Sequence, residues 1–311
     1  MAPRLSERRA TSINVERAKM RKTLIEVVEA TIQNNPSTAL LLGDIGVYGF
    51  KKTLDQFPQR AFNLGILEQS MIGIAAGMAS EGIIPIIHSI APFLVERALE
   101  QIKVGFGYQQ LPGNFVSVGS SYDYSGLGCT HHCPADINIL SQVPGVNLFI
   151  PGTPKEFKHQ FNTYWNNGEI NYFRLSEQTH SLDLKNDLGE LQRIKNGNTC
   201  TIIAVGPVLD DVLKAIEGLD IELYYCSSIS SKAKLEIDLE VLNNKLIIVE
   251  PYYSGAVLRK LKVNSLVNNF RSFEFGVPVE FIRKYGTFNQ IKEFLQLDPE
   301  SLRNRIIEVL G

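Results

Sequence analysis

This 311-residue chain predicts two consecutive α/β domains, each a mostly parallel sheet covered by helices on both faces. Three observations carry that reading. Short apolar runs of strand type alternate with helical stretches, a pattern that builds parallel sheets buried on both sides. The alternation breaks once, over polar residues 177–198 with their two glycines, and then resumes. The length also suffices for two cores of ordinary size.

Leu24, Val27, Val28 and Ile32 fit one helix face, and Pro36 ends that helix. Thr38–Leu42 is a short apolar strand, stopped by Gly43-Asp44. A loop carrying Glu68 leads into a helix, followed by a strand over 83–88 and a helix over 91–106. Strands at 115–119, 146–150 and 172–175 alternate with helices at 135–142 and 153–165. In the second half, strands at 201–205, Ile221–Cys226 and 245–250 surround a helix at 208–216. Pro251 is expected to close the strand before it, and Pro299–Leu310 is the final helix. The expected organisation is an N-terminal arm (1–19), a first domain (20–176), a linker (177–198) and a second domain (199–311).

Hydrophobic content of 44% and charged content of 21% belong to a globular protein, and a net charge of −2 leaves no electrostatic footprint for nucleic acid. Four cysteines form no disulfide framework at this size, so a reducing cytoplasm is the expectation. The most apolar window, 83–95, contains His88 and two prolines and is too short and broken to span a bilayer. The first 22 residues hold seven Lys or Arg against Glu7 and Glu16, which reads as a surface arm rather than an organelle address.

Residues 60–69 read Arg-Ala-Phe-Asn-Leu-Gly-Ile-Leu-Glu-Gln and run into Ser-Met-Ile-Gly-Ile-Ala-Ala-Gly-Met-Ala. A helix of that composition is expected to be buried. Glu68 then sits at the mouth of a buried helix N-terminus, a costly place for an unpaired carboxylate. One reading is a cap on backbone N–H groups. However, the decapeptide closely resembles the pyrimidine-binding segment of transketolase-type thiamine diphosphate enzymes, whose pattern is Arg-x-x-Asn-x-Gly-Ile-x-Glu-Gln. Two further segments agree. Gly126-Leu-Gly-Cys-Thr-His-His-Cys-Pro-Ala-Asp-Ile, followed by Val143-Pro144-Gly145-Val146, resembles that family's Thr-His loop. Residues 202–206, 247–251, Ser254-Gly255 and Phe275-Gly276-Val277 resemble its C-terminal domain. The resemblance covers about residues 20–310.

The family's diphosphate-binding domain, marked by Gly-Asp-Gly and a later Asn-Asn that hold a divalent metal, has no counterpart. Gly43-Asp44 is followed by Ile45, and the Asn pairs at 34–35, 166–167, 243–244 and 268–269 stand at the wrong distance. The resemblance therefore implies the C-terminal half of a transketolase encoded separately. It implies thiamine diphosphate as cofactor, with Mg2+ or Ca2+ held by a second chain. It also implies an enzyme of carbohydrate metabolism assembled from two copies of each chain.

The resemblance also assigns roles. A carboxyl bonded to the pyrimidine nitrogen favours the imino form of the cofactor, which removes the thiazolium proton; burial makes such proton sharing possible. Glu68 is that candidate, with Ile66 of the same segment beside the cofactor. Phe93 is the candidate aromatic wall, though Leu94 is an alternative register and a core role for Phe93 is the competing reading. His131 of Thr130-His131 matches a histidine that faces the substrate's reacting carbon, or is a loop histidine; His132 has a weaker claim. His88 and Asp44 are candidates for the cofactor site, with a turn aspartate as the alternative for Asp44. Cys129, His131, His132 and Cys133 invite a zinc reading, but four ligands within five residues wrap poorly around one tetrahedron, so no metal is expected on this chain.

Transketolases and deoxyxylulose phosphate synthases grip a sugar phosphate with an Arg in a segment like Arg-Leu-x-Arg. Here it reads Arg174-Leu175-Ser176-Glu177, so Glu177 stands at that arginine's place. Gly119 stands where a histidine is usual and Leu127 where an aspartate is. An atypical sugar, nucleotide-linked or otherwise unphosphorylated, is the expectation; the alternative is that the second chain supplies the basic groups. The competing functions are the beta subunit of a 2-oxo acid dehydrogenase, a deoxyxylulose-phosphate-synthase-like condensation, or a non-catalytic partner, which the retained Glu68 opposes.

Overall fold

The computed structural model describes the backbone of residues 5–239, 245–265 and 270–311, and side chains of 20–237, 245–262 and 270–311. The side chains of the expected arm at 1–19, and the Asn pairs at 243–244 and 268–269, lie outside the described residues. The arm's backbone from Leu5 belongs to α1 (Leu5–Asn34).

The first sheet contains β1 (Thr38–Leu42), β2 (Ala61–Asn63), β3 (Ile84–Ile90), β4 (Gly113–Val118), β5 (Val146–Phe149) and β6 (Ile170–Arg174). These six are parallel, in the order β5-β6-β4-β3-β1-β2. The second sheet contains β7 (Leu191–Lys195), β8 (Cys200–Val205), β9 (Ile221–Cys226), then β12 (Lys245–Tyr253) and β14 (Arg271–Val277) after β10 (Ser228–Ile229), β11 (Leu235–Leu239) and β13 (Leu261–Ser265). Its order is β14-β12-β8-β9-β7, with only β7 antiparallel among these pairings. The small pair β11–β13 stands apart. The helices are α2 (Lys51–Gln56), α3 (Glu68–Ser80), α4 (Leu99–Gln101), α5 (Asp136–Leu140), α6 (Pro154–Tyr164), α7 (Leu209–Ala215), α8 (Ala256–Lys260), α9 (Phe288–Phe294) and α10 (Pro299–Leu310).

Met20, Leu24, Val27, Val28 and Ile32 of α1 bury against Leu40, Leu42, Phe157 and Phe173 on one face of the first sheet. The other face packs on α3 through Met71, Ile72 and Ala75, and this core continues into the second domain through Ile150, Ile203, Val205 and Tyr252. β10 crosses the domain boundary to pair antiparallel with β5, which covers an edge that would otherwise be open.

Four expectations need correction. The linker at 177–198 contains β7, whose sequence is mostly polar and whose residues are at most partly buried, so it resembles a linker. Pro251 does not end its strand: β12 runs to Tyr253, and the register against β14 slips between Val249 and Tyr253, a break at which a missing N–H is tolerated. The helix expected over 91–106 is a π-turn at Pro92–Glu96, α4, and a second π-segment at Ile102–Tyr108. Finally, α3 is not buried all round, since Gly73, Ile74 and Gly77 are exposed.

Arg174 and Asp136 are both buried and joined by Arg174 Nε donating to Asp136 Oδ2 at 2.8 Å. Tyr172 donates to the same oxygen at 2.8 Å. Arg174 also donates to Ser121 Oγ, whose hydroxyl donates to the Pro251 carbonyl of the second domain. Arg174 is therefore a core residue that ties the domains together. Arg174→Met leaves buried Asp136 without its cation, so we expect a loss of about 3–5 kcal/mol in urea unfolding; a loss below about 1 kcal/mol would show that the pair is dispensable.

Candidate active site

The C-terminal ends of the parallel strands are where open α/β sheets expose loops that bind ligands. Asp44 follows β1, the Glu68 segment follows β2, Pro92 follows β3, the loop with His131 follows β4, and Glu177 follows β6. The topology thus brings residues distant in sequence to one sheet edge.

Glu68 opens α3 and is 1% exposed. Its carboxylate bonds run to side chains: Arg97 Nη1 donates to Oε2 at 2.6 Å, and Ser89 Oγ reaches Oε1 at 3.5 Å. Among the described residues no helix N–H donates to this carboxylate, so the capping reading fails. Arg97 offsets the cost of burying the charge. The guanidinium also lies 4.3 Å above the Phe93 ring. Phe93 is half-buried and meets His131 edge to face at 5.3 Å. Leu94 is fully buried in the core, so Phe93 is the ring at this edge. The π-turn inserts one residue here and accounts for the register ambiguity between Phe93 and Leu94.

His131 Nδ1 shares a 2.9 Å hydrogen bond with Thr130 Oγ1. Beyond it stands Tyr124, its ring 6.1 Å from that of His131. Arg21 donates to the Tyr124 hydroxyl at 2.6 Å and lies 3.9 Å from Glu177. Gly119 has φ of 75°, and a Cβ there would lie 2.2 Å from the Tyr124 ring. Glycine at 119 makes room for that tyrosine. The Glu177 N–H donates to Asp123, whose carboxyl is pushed up to about 7 by burial and then by the charge of Glu177.

Glu68, Arg97, Phe93, His131, Tyr124, Arg21 and Glu177 thus form one continuous file. Arg97, Tyr124 and Arg21 were missed from sequence. Arg97 had a signal, four residues beyond Phe93 on a helical segment. Arg21 and Tyr124 are 103 residues apart, so only the tertiary fold joins them.

Asp44, His132 and His88 lie outside that file, whereas Ile66 adjoins Glu68 in the chain. Asp44 is exposed, has φ of 58°, and accepts from Asn63 Nδ2 at 3.1 Å while its N–H donates back to Asn63 Oδ1. It ties the loops after β1 and β2 together. Ile66 and Leu67 are 67% and 58% exposed beside Glu68. His132 is buried, which lowers its pKa. His88 does not join Glu68: its strand neighbour Ser89 faces the carboxylate, so His88 points to the opposite side, toward Phe50. Leu127 is exposed. All four cysteines are free thiols, and no group of His, Cys, Asp and Glu is placed to hold a metal ion among the described residues. No described helix is long and apolar enough to cross a membrane.

The family described as "Transketolase, pyrimidine binding domain" matches residues 16–181. A protein of the fasciation locus of Rhodococcoides fascians, uncharacterized and of 33.6 kDa, is 33% identical over 289 residues, 91% of this chain and 92% of that protein. One subunit of the apulose-4-phosphate transketolase of Actinobacillus succinogenes is 30% identical over 166 residues, 52% of this chain and 53% of that relative. A split-gene transketolase, solved as an inactive β4 tetramer, shares the fold with a TM-score of 0.75 and 20% identity, over 94% of this chain and 97% of that one. The chain belongs to the transketolase family and is the C-terminal half, pyrimidine-binding domain followed by C-terminal domain, of a split transketolase-like enzyme.

Proposed function

We infer that this chain is the pyrimidine-binding subunit of a two-chain enzyme that transfers a two-carbon ketol unit with thiamine diphosphate, the cofactor its family implies. The observation that carries the reading is Glu68: a carboxylate 1% exposed, bonded to side chains rather than to its helix, with Phe93 and His131 in file beside it. These residues fit an aminopyrimidine. An acid that can share a proton with a ring nitrogen stands next to exposed Ile66 and Leu67 and a half-buried aromatic ring.

When bound, the cofactor supplies the carbanion-stabilising thiazolium. Glu68 holds a proton at the pyrimidine nitrogen, and Arg97 fixes its carboxylate in place. Phe93 provides an apolar wall. His131, oriented by Thr130, moves a proton at a substrate hydroxyl. The diphosphate and its Mg2+ or Ca2+ are assigned to a second chain. The Actinobacillus relative is itself named as one subunit of a transketolase, which supports such a partnership. So do the exposed apolar side chains of Ile74 on α3 and of Val104 and Tyr108 on the second π-segment. Closed symmetry with two copies of each chain is the expected assembly.

The substrate is assigned as an atypical, unphosphorylated sugar. Glu177 and Tyr124 engage Arg21 on the His131 side of the sheet edge, and a carboxylate opposes phosphate where arginine would bind it in a bidentate way.

Three outcomes are expected. Rigorously purified chain does not turn over a ketose donor, whereas turnover without a second polypeptide contradicts the partnership. In the reconstituted enzyme, Glu68→Gln lowers kcat by about 100- to 10,000-fold while gel filtration shows the assembly intact; a wild-type kcat would reduce Glu68 to a structural group. With xylulose 5-phosphate and ribose 5-phosphate, kcat/KM stays below roughly 10⁴ M⁻¹s⁻¹, and a higher value would refute the unphosphorylated-sugar assignment.

A further inference from the structure

On the α1 side of the first sheet, beneath the loop after β1, lies a cavity of about 430 Å³. Its walls are apolar, with Leu24 and Ile25 of α1, Phe50, and Val118 at the end of β4. That size falls in the range of small-molecule sites. Three polar groups bear on what could enter it, His88, Arg21 and Asp44.

His88 is 3% exposed. Its Nδ1 lies 2.8 Å from the Val116 carbonyl, which can only accept, so Nδ1 carries the hydrogen. Burial pushes the imidazole's pKa down to about 4, so the ring is neutral and Nε2 offers a bare lone pair. Among the described residues Nε2 has no hydrogen-bond partner. Gly46 lies across this edge of the ring with φ of 74°, and a Cβ there would stand 3.2 Å from Nε2. Glycine keeps that atom uncovered.

Arg21 forms the rim. Its guanidinium donates to Tyr124 and faces Glu177, and Tyr124 in turn borders His131. Arg21 and Tyr124 thus connect the cavity wall to His131. Asp44 also lines it, so a dianion would meet a carboxylate and an acceptor nitrogen there, while Arg21, the cation of the lining, is already engaged by Tyr124 and Glu177.

We propose that this cavity is the subsite for the far end of the substrate, and that it selects an uncharged group with an apolar body and a hydroxyl that donates to His88 Nε2. The assignment rests on the transferase reading for the word substrate. Its test needs neither cofactor nor second chain, so the two can fail separately.

The probes are benzyl alcohol, benzyl methyl ether and phenyl phosphate, which share one ring and differ in donor and charge. Each is titrated into the full chain labelled with ¹⁵N-histidine, and the His88 Nε2 resonance is followed. Benzyl alcohol is expected to shift that resonance saturably and to bind about fivefold more tightly than the ether, one neutral hydrogen bond's worth. Phenyl phosphate is expected to give no saturable shift. In His88→Phe the alcohol loses its advantage while the ether still binds. Equal binding of alcohol and ether to the wild type, binding of phenyl phosphate as tight as the alcohol, absence of any shift at His88, or a preference that survives in the variant would each overturn the proposal. If the variant does not fold, the wild-type series alone decides.

Discussion

The ion pair between Glu68 and Arg97 is the constraint on which the rest of the site depends. A carboxylate buried at the start of an apolar helix is unstable without a cation or a proton. Arg97 supplies the cation from the segment after β3, at 2.6 Å. Arg97 follows directly on the π-turn at Pro92–Glu96. The same turn lays the guanidinium over Phe93 and sets Phe93 against His131. One electrostatic requirement thereby positions an acid, an aromatic ring and an imidazole along one sheet edge.

Two other arginines do different work. Arg174 is consumed by the fold, since its partners Asp136 and Ser121 belong to the junction between domains. Arg21 stands at the rim and is restrained by Tyr124 and Glu177. Tyr124 fits only because position 119 is glycine with positive φ. The departures at Gly119 and Glu177 are thus parts of one arrangement around Arg21 rather than separate losses. Both sides of the first sheet then bear on the proposed chemistry: Glu68 with Ser89 on the α3 side, His88 and its cavity on the α1 side.

Much of this was legible in the sequence. The apolar pattern placed β1, β9 and α10 with the ends later observed, because the two strands are buried throughout and Asp298 with Pro299 marks the start of the helix. The Glu68 segment was legible because its decapeptide, residues 60–69, resembles the pyrimidine-binding pattern of transketolase-type enzymes. What failed has physical reasons. A one-residue π insertion is invisible to a 3.6-residue period, which left Phe93 and Leu94 unresolved. Edge strand β7 carries too little apolar sequence to stand out from a linker. Strand alternation could have separated His88 from Glu68, but that signal went unused. The exposed face of α3 and the Arg21–Tyr124 pairing arise from tertiary structure, which composition alone does not report.

The central claim is that Glu68 acts on the bound pyrimidine rather than only balancing Arg97. Exchange of the cofactor's thiazolium proton tests it most directly. The reconstituted two-chain enzyme, wild type and Glu68→Gln, is mixed rapidly with deuterium oxide and quenched in acid, and the remaining proton is read by NMR. Exchange slowed on the order of 100-fold or more in the variant is the predicted result. Equal rates in the two proteins would contradict the account.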